Sequence, residues 1–204
     1  MHMVEAVVRD DQEISEDLIK ETHRILCSGV PVIVSADKQV VPSSSYAGKY
    51  RNVPVRAGNT NFVVPQRVPT VMARFITELN EYLRKAEAER QIDPFYIAAH
   101  ACGEFVNIHP FLDGNGRTCR LILNTILLKY AGIVCPIGEC ESERNEYLNI
   151  ARASSEDCVG NGRLAAYVVE KVAVVEEGGG YEYCQLSPIK SGFELLRDTL
   201  KGKS

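Results

Sequence analysis

The sequence predicts an all-α protein that carries one β-hairpin, and three observations support this prediction. Residues 70–88 repeat apolar side chains at the spacing of an amphipathic helix. Residues 95–107 and 117–130 are apolar on most helical faces, which is typical of buried helices. Residues 57–59, Ala-Gly-Asn, are a turn signal between two short alternating segments. We therefore expect a helical bundle around two central helices, with the hairpin attached to it.

Length, composition and charge narrow the classes of function. A chain of 204 residues with 45% hydrophobic side chains suits one domain with a small appendage. The net charge of −4 gives no general preference for nucleic acid or an anionic membrane, so we expect neither as a partner. No apolar run approaches the ~20 residues that cross a bilayer, and the N-terminus lacks the apolar region of a secretory signal.

The seven cysteines are scattered and include no Cys-x-x-Cys pair. This pattern is typical of reduced, buried thiols in a cytosolic or nuclear protein. We therefore expect a cytoplasmic or nuclear localisation. The sequence indicates no oligomeric state.

The N-terminal region predicts one helix followed by a loop. Residues 15–28 have helical spacing, with Ser15 as the N-cap and Gly29 as the stop signal. We assign His23 to packing or to the surface, because no acidic or cysteine partner lies nearby at metal-ligand spacing. Residues 30–50 show no clear period and predict a loop.

The hairpin is predicted from residues 52–56 and 61–64. Pro54 cannot donate to a ladder, so the first strand must have an open edge. Two interpretations remain open from the hairpin alone. It is either a surface hairpin without a binding role or a strand edge that pairs with an extended peptide.

Six further helices follow. Thr70 is the predicted cap of the helix at 70–88, whose apolar stripe is Met72, Phe75, Ile76, Leu79, Tyr82 and Leu83. Asp93 is the predicted N-cap of the first central helix, and Gly132 ends the second. Helices at 142–155 and 164–175 complete a main domain over 1–176. Residues 177–204 are a glycine-rich joint and a helical extension that restarts at Ser187.

The segment between the two central helices, residues 109–120, has the sequence HPFLDGNGRTCR. Gly114, Asn115 and Gly116 tolerate positive φ, so several N–H groups can turn to one side and bind an anion. The same residues open a helix, whose N-terminus attracts phosphate. Arg117 and Arg120 lie on one face of that helix and suit a polyphosphate.

Asp113 and His109 complete this chemistry. Asp113 would repel a bare phosphate, but it suits a Mg²⁺ ion that bridges a carboxylate and phosphate oxygens. His109 can accept a proton from an attacking hydroxyl. The pattern indicates phosphoryl or nucleotidyl transfer, and it is not a P-loop. The alternative interpretation is a turn with only a structural role, and the presence of His109 and Asp113 argues against it.

The segment 109–120 resembles the HPFx[DE]GNGRxxR signature of the Fic family. Residues 48–51, Gly-Lys-Tyr-Arg, and the hairpin resemble the family's flap, which we place at about residues 48–65. Arg144 and Tyr147 resemble a later Arg-x-x-Tyr element. The similarity extends over roughly residues 15–172.

The resemblance implies a Fic fold and an enzyme that transfers AMP from ATP to a Ser, Thr or Tyr hydroxyl of a target protein. It implies that His109 is the base, that Asp113 holds Mg²⁺ or Mn²⁺, and that Phe111 anchors the loop. The nucleotide-binding residues that it implies are Gly114, Asn115, Gly116, Arg117 and Arg120, with Tyr147 as a weaker candidate at the adenine. The flap residues implied to contact the target are Val53, Pro54, Val55 and Arg56.

The chain departs from the family in one respect. We find no [ST]xxxE[GN] inhibitory motif, so we expect inhibition either by a segment outside this sequence, by a partner in trans, or not at all. The alternatives to AMP transfer are a Doc-like kinase, transfer of another nucleotide or phosphodiester, and nucleotide binding without turnover. Doc-like kinases usually carry lysine at the position of Gly116.

Overall fold

The computed structural model describes residues 2–34, 39–57, 60–137, 150 and 164–171. The helices are α1 (His2–Val4), α2 (Glu16–Leu26), α3 (Ser43–Tyr46), α4 (Val68–Glu89), α5 (Pro94–Ile108), α6 (Asn115–Ala131) and α7 (164–171). A π-helical turn, Glu5–Arg9, follows α1, and a 3₁₀ turn, Pro65–Arg67, precedes α4. The described part of the chain is therefore mostly helical, as the sequence predicts.

The strands form two antiparallel hairpins in the described residues. Strand β1 (Val32–Val34) pairs with β2 (Gln39–Val41), and β3 (Arg56–Ala57) pairs with β4 (Thr60–Asn61). The first hairpin lies in the segment that the sequence predicted as a loop. Its strands are only three residues long, too short for a clear alternating pattern.

The predicted hairpin is present but shorter than expected. Of the predicted strands, only Arg56 and Asn61 pair with each other, and Ala57, predicted as a turn residue, pairs with Thr60. Residues 53–55 lie before the ladder, so the missing N–H of Pro54 costs no ladder hydrogen bond.

The chain divides into two compact units, residues 1–81 with 104–121 and residues 82–103 with 122–204. The first unit contains the whole glycine-rich loop. Its core includes the buried side chains Ile14, Leu18, Ile19, Val68, Met72, Phe75, Phe105, Ile108 and Phe111. Within it the Asn80 side chain donates to the carbonyl of Ile14 at 2.8 Å, which ties α4 to the start of α2.

The second unit is organised around the C-terminal part of α6. Asn124 donates to the carbonyl of Cys135 at 3.1 Å and accepts its N–H at 2.6 Å, which fixes the segment after the helix. The Tyr130 hydroxyl donates to the Glu87 carboxylate at 2.6 Å. Leu164 and Val168 of α7 are fully buried.

The predicted helix ends are largely confirmed. Ser15 Oγ accepts the N–H of Leu18 at 3.2 Å, and the Asp93 carboxylate accepts the N–H of Tyr96 at 3.0 Å. Gly132 follows α6 with a φ of +71°, a conformation that favours glycine.

Two details of the α4 prediction are wrong. The helix begins at Val68 and not at a Thr70 cap, because the 3₁₀ turn Pro65–Arg67 leads directly into it. Tyr82 is 49% exposed, although its spacing placed it in the apolar stripe. The other five members of the stripe are buried.

Several predictions lie outside the described residues. They are the helix at 142–155 apart from residue 150, Arg144, Tyr147 and the extension over 177–204. Cys27, Cys102, Cys119 and Cys135 are buried as thiols, as expected. In the ranges that the structure describes, no helix is both long enough and apolar enough to cross a membrane.

Candidate active site

The loop between α5 and α6 begins at His109, where the chain turns out of the helix. The N–H of His109 donates to the carbonyl of Phe105 at 3.0 Å and completes the last turn of α5. The φ of His109 is +51°, a value that costs a residue other than glycine about 1–3 kcal/mol. Such strain persists only where the surroundings hold it.

Arg51, which lies within the segment 48–65 assigned to the flap, supplies part of that support. It is only 5% exposed, and its Nε donates to the carbonyl of His109 at 2.7 Å. Its Nη1 donates to the carbonyl of Val53 at 3.1 Å, and its Nη2 to the carbonyl of Val63. The main-chain N–H of Arg51 donates to the carbonyl of Pro110 at 2.9 Å. One buried guanidinium thus joins both arms of the flap to the loop.

The hydrogen bonds of His109 identify its tautomer. Nδ1 lies 3.3 Å from the carbonyl oxygen of Val106, which can only accept. Nδ1 therefore carries the proton, and Nε2 keeps a lone pair. The Phe62 ring stacks on the imidazole with centroids 4.0 Å apart and planes inclined by 16°.

The surroundings of His109 keep it neutral. Burial is the largest influence and lowers its pKa to about 4, helped by the charge of Arg51 and opposed by Val106 and Asp113. The imidazole is therefore uncharged near neutral pH. A neutral imidazole with an available Nε2 is the form that accepts a proton.

Phe111 and Asn115 hold the loop closed. Phe111 is fully buried, as predicted. Asn115 is 2% exposed, and its side chain accepts the N–H of Phe111 at 2.9 Å and donates to the carbonyl of Phe111 at 2.8 Å. Because its amide closes the loop in this way, the groups that Asn115 has left for a phosphate are its main-chain N–H and the second N–H of Nδ2.

The N-terminus of α6 provides the anion-binding groups. The first helical hydrogen bond runs from the N–H of Thr118 to the carbonyl of Gly114, at 2.9 Å. The preceding N–H groups, at 115–117, have no acceptor within the helix and carry its partial positive charge. The Arg120 guanidinium lies beside them, since a Cβ at Gly116 would be 3.8 Å from its Nη1.

Asp113 and Arg117 form an ion pair at the mouth of this loop. Arg117 Nη2 donates to Asp113 Oδ2 at 2.8 Å. Their side chains are 46% and 36% exposed, so the pair contributes little to stability and both groups are accessible to a ligand.

The sequence analysis missed the contacts of His23, which lies on α2 directly against this loop. His23 is fully buried, and its Nε2 lies 2.8 Å from the carbonyl oxygen of Asp113. Its Nδ1 accepts the N–H of Gly48 at 2.8 Å. Burial lowers the pKa of His23. The spacing of the sequence held no signal for these two contacts, because both partners are main-chain atoms far along the chain. The expectation that no cysteine lies near His23 is wrong, since the sulfur of Cys27, one helical turn further on, lies 3.4 Å from Nε2.

The structure thus brings together His109, Asp113, Arg117 and the N-terminus of α6 on one loop. The flap residues lie on the segment that Arg51 joins to it. Among them, Val53, Pro54 and Arg56 are exposed and Val55 is half-buried.

The donor set around Asp113 suits a metal ion held jointly with a substrate. The described residues contain no group of three or more His, Cys, Asp and Glu side chains that could hold a metal ion by themselves. Mg²⁺ is usually bound through one or two carboxylates and substrate phosphates. One accessible carboxylate next to an anion-binding helix end therefore fits Mg²⁺ only when nucleotide is present.

Comparisons with known proteins identify the family of this chain. Residues 13–127, more than half of the chain, match the Fic/DOC family. The protein adenylyltransferase fic-1 of Caenorhabditis briggsae is 34% identical over 146 residues, which cover 70% of this chain and 25% of that protein. A Fido domain-containing protein of Dictyostelium discoideum is 32% identical over 105 residues, covering 52% of this chain and 69% of that one.

The fold has solved counterparts. A Fic domain containing signaling protein from Bacteroides thetaiotaomicron has a TM-score of 0.63 at 20% identity, covering 89% of this chain and 70% of that one. The present chain spans only about a quarter of the fic-1 relative. The match over residues 13–127, together with the loop at 109–120, shows that the chain belongs to the Fic/DOC family.

Proposed function

We propose that this chain is a protein adenylyltransferase that transfers AMP from ATP to a Ser, Thr or Tyr hydroxyl of a target protein. The observation that carries the proposal is the tautomer of His109. Its Nδ1–H is committed to the carbonyl of Val106, so Nε2 is the basic nitrogen. The name of the fic-1 relative, a protein adenylyltransferase, supports this reaction and a protein as acceptor.

The proposed step is a displacement at the α-phosphorus. The target hydroxyl gives its proton to Nε2 of His109 while its oxygen bonds to the α-phosphorus. The bond from the α-phosphorus to the bridging oxygen breaks, and pyrophosphate leaves. General-base assistance of this kind typically contributes about 10²–10⁴ in rate.

The rest of the loop binds and orients the nucleotide. The N–H groups of Gly114, Asn115 and Gly116 face the phosphates, and Arg117 and Arg120 bind the β/γ end. Asp113 would hold Mg²⁺ or Mn²⁺, and the ion would supply positive charge that offsets charge on the leaving pyrophosphate. This arrangement requires Asp113 to exchange its contact with Arg117 for the ion, while Arg117 turns to phosphate.

The flap is the proposed docking site for the target. Val53, Pro54, Val55 and Arg56 lie on an arm whose Val53 carbonyl is fixed by Arg51. Exposed main chain next to a short ladder can pair with an extended segment of another protein. Fixing the arm through Arg51 would place the acceptor hydroxyl near His109.

Further parts of the proposal concern the whole protein. We infer a Fic domain over 1–176, with 177–204 as an extension, and Tyr147 as a weaker candidate at the adenine. Buried thiols at the four described cysteines support a reducing compartment, cytoplasm or nucleus. Inhibition would come from a segment outside this sequence or from a partner in trans, or it would be absent.

A labelling experiment tests the reaction. The protein is incubated with lysate, Mg²⁺ and ATP labelled at either the α- or the γ-phosphate. The expected result is label from the α-position, and none from the γ-position, above the label in lysate incubated without this protein. Label from the γ-position would indicate a kinase, and label from neither position would indicate nucleotide binding without turnover.

A further inference from the structure

His23 is a buried side chain that the proposed reaction does not use. It is fully buried on α2, in the same compact unit as the loop. Both ring nitrogens contact main-chain atoms, Nδ1 the N–H of Gly48 and Nε2 the carbonyl of Asp113, each at 2.8 Å. One imidazole therefore joins α2, the start of the flap and the active-site loop.

The two partners determine the state of the ring. An N–H can only donate, so Nδ1 is the acceptor toward Gly48. A carbonyl oxygen can only accept, so Nε2 carries the proton toward Asp113. The neutral ring with its proton on Nε2 satisfies both contacts. The Phe111 ring, parallel to it within 5° and 3.7 Å away, fixes the ring plane.

The loop also packs closely against α2 at Gly114. Gly114 has a φ of +78°, and a Cβ there would lie 2.9 Å from His23 Nε2 and 2.8 Å from the sulfur of Cys27. The turn at Asp113 and Gly114 thus lies directly against α2. A change in the ring of His23 would shift the main chain that carries the Asp113 carboxylate and precedes the N-terminus of α6.

We propose that His23 is a positioning residue, which holds the Asp113–Gly114 turn so that the Asp113 carboxylate and the first N–H groups of α6 face Mg²⁺ and the nucleotide phosphates. This inference rests on the proposed function for the identity of the ligand. The contact itself is independent of that function, because it fixes the loop whether or not AMP is transferred.

Three variants separate the roles of the ring. His23→Phe keeps an aromatic ring to stack on Phe111 but loses both hydrogen bonds. His23→Gln offers an amide donor at about the reach of Nε2, whereas His23→Asn offers an acceptor at about the reach of Nδ1. Ile19→Ala, a buried substitution in the same helix, controls for lost stability and removes neither main-chain partner of the His23 ring.

The first measurement is the Kd for ATP with Mg²⁺, by a binding assay that needs no turnover. Loss of a residue that orients a metal ligand typically weakens metal binding or activity by about 10- to 100-fold. We expect a loss of this size for His23→Phe, partial rescue by His23→Gln and less rescue by His23→Asn. Ile19→Ala should lower the melting temperature but leave the Kd within about threefold.

The second measurement is hydrogen exchange of the main chain over residues 110–118 without ligand. His23→Phe should speed exchange there, and Ile19→Ala should not do so selectively. Unchanged exchange in this segment, or a normal Kd in a folded His23→Phe protein, would overturn the proposal. If the unmodified protein binds no Mg²⁺–ATP, the proposed function fails, and the exchange result alone decides the role of His23.

Discussion

Replacing Phe62 with alanine should move the acid limb of the activity profile toward neutral pH. The Phe62 ring covers the imidazole of His109 at 4.0 Å, and burial is the largest cause of the low pKa of that imidazole. Removing the ring admits water, so the pKa should rise from about 4 toward its ordinary value of 6.5. Only neutral His109 accepts a proton, so activity is lost as the pH falls through this pKa.

The size of the effect follows from the neutral fraction of His109. At pH 5.5 a base with a pKa of about 4 is about 97% neutral, whereas one with a pKa of 6.5 is about 9% neutral. At pH 8 both are almost fully neutral. The ratio of activity at pH 5.5 to activity at pH 8 should therefore fall by up to about tenfold in Phe62→Ala.

The assay is the initial rate of label transfer from α-labelled ATP to a fixed protein acceptor at the two pH values. The ratio of the two rates cancels any loss of activity that is the same at both pH values. Val64→Ala is a matched control, because Val64 is 54% exposed on the same arm of the flap. If Phe62→Ala lost activity equally at pH 5.5 and pH 8, the reasoning that Phe62 sets the pKa of His109 would be refuted.

Three other predictions follow from the contacts of the loop. Gly114→Ala should lower the free energy of unfolding by ~1–3 kcal/mol more than Gly132→Ala, because the positive φ is common to both and only Gly114 is crowded by its neighbours; equal losses in denaturation would contradict this. Gly114→Ala should also weaken ATP binding. Arg51→Ala should cost about 3 kcal/mol in unfolding free energy, because its buried donors serve several carbonyls, whereas exposed Arg67→Ala should stay within about 0.5 kcal/mol. Mg²⁺ should raise the ATP affinity of the unmodified protein above that measured in EDTA, and Asp113→Asn should reduce this gain by more than about tenfold. An unchanged gain would exclude Asp113 as the metal ligand.

The sequence predicted best where local signals were strong. The two central helices have long apolar patterns, and Asp93 and Gly132 mark their ends with ordinary capping chemistry. The loop between them could be interpreted because its residue types limit its chemistry. The burial of Phe111 agrees with the anchoring role that the resemblance to the Fic family implies.

The missed features depend on tertiary contacts. His23 makes its two bonds to main-chain atoms 25 and 90 residues away, which no side-chain spacing can reveal. The stack of Phe62 on His109 joins the flap to the loop in the same way. Thr70 has the side chain of a helix cap, but the 3₁₀ turn before α4 started the helix earlier.

The central claim is that His109 acts as the base for AMP transfer without being needed to hold the nucleotide. The most direct test compares the unmodified protein with His109→Ala under single-turnover conditions, measuring transfer of α-label to protein and the Kd for Mg²⁺–ATP. We expect transfer to fall by about 10²–10⁴ while the Kd stays close to that of the unmodified protein. Transfer that persists in His109→Ala would contradict the assignment of His109 as the base.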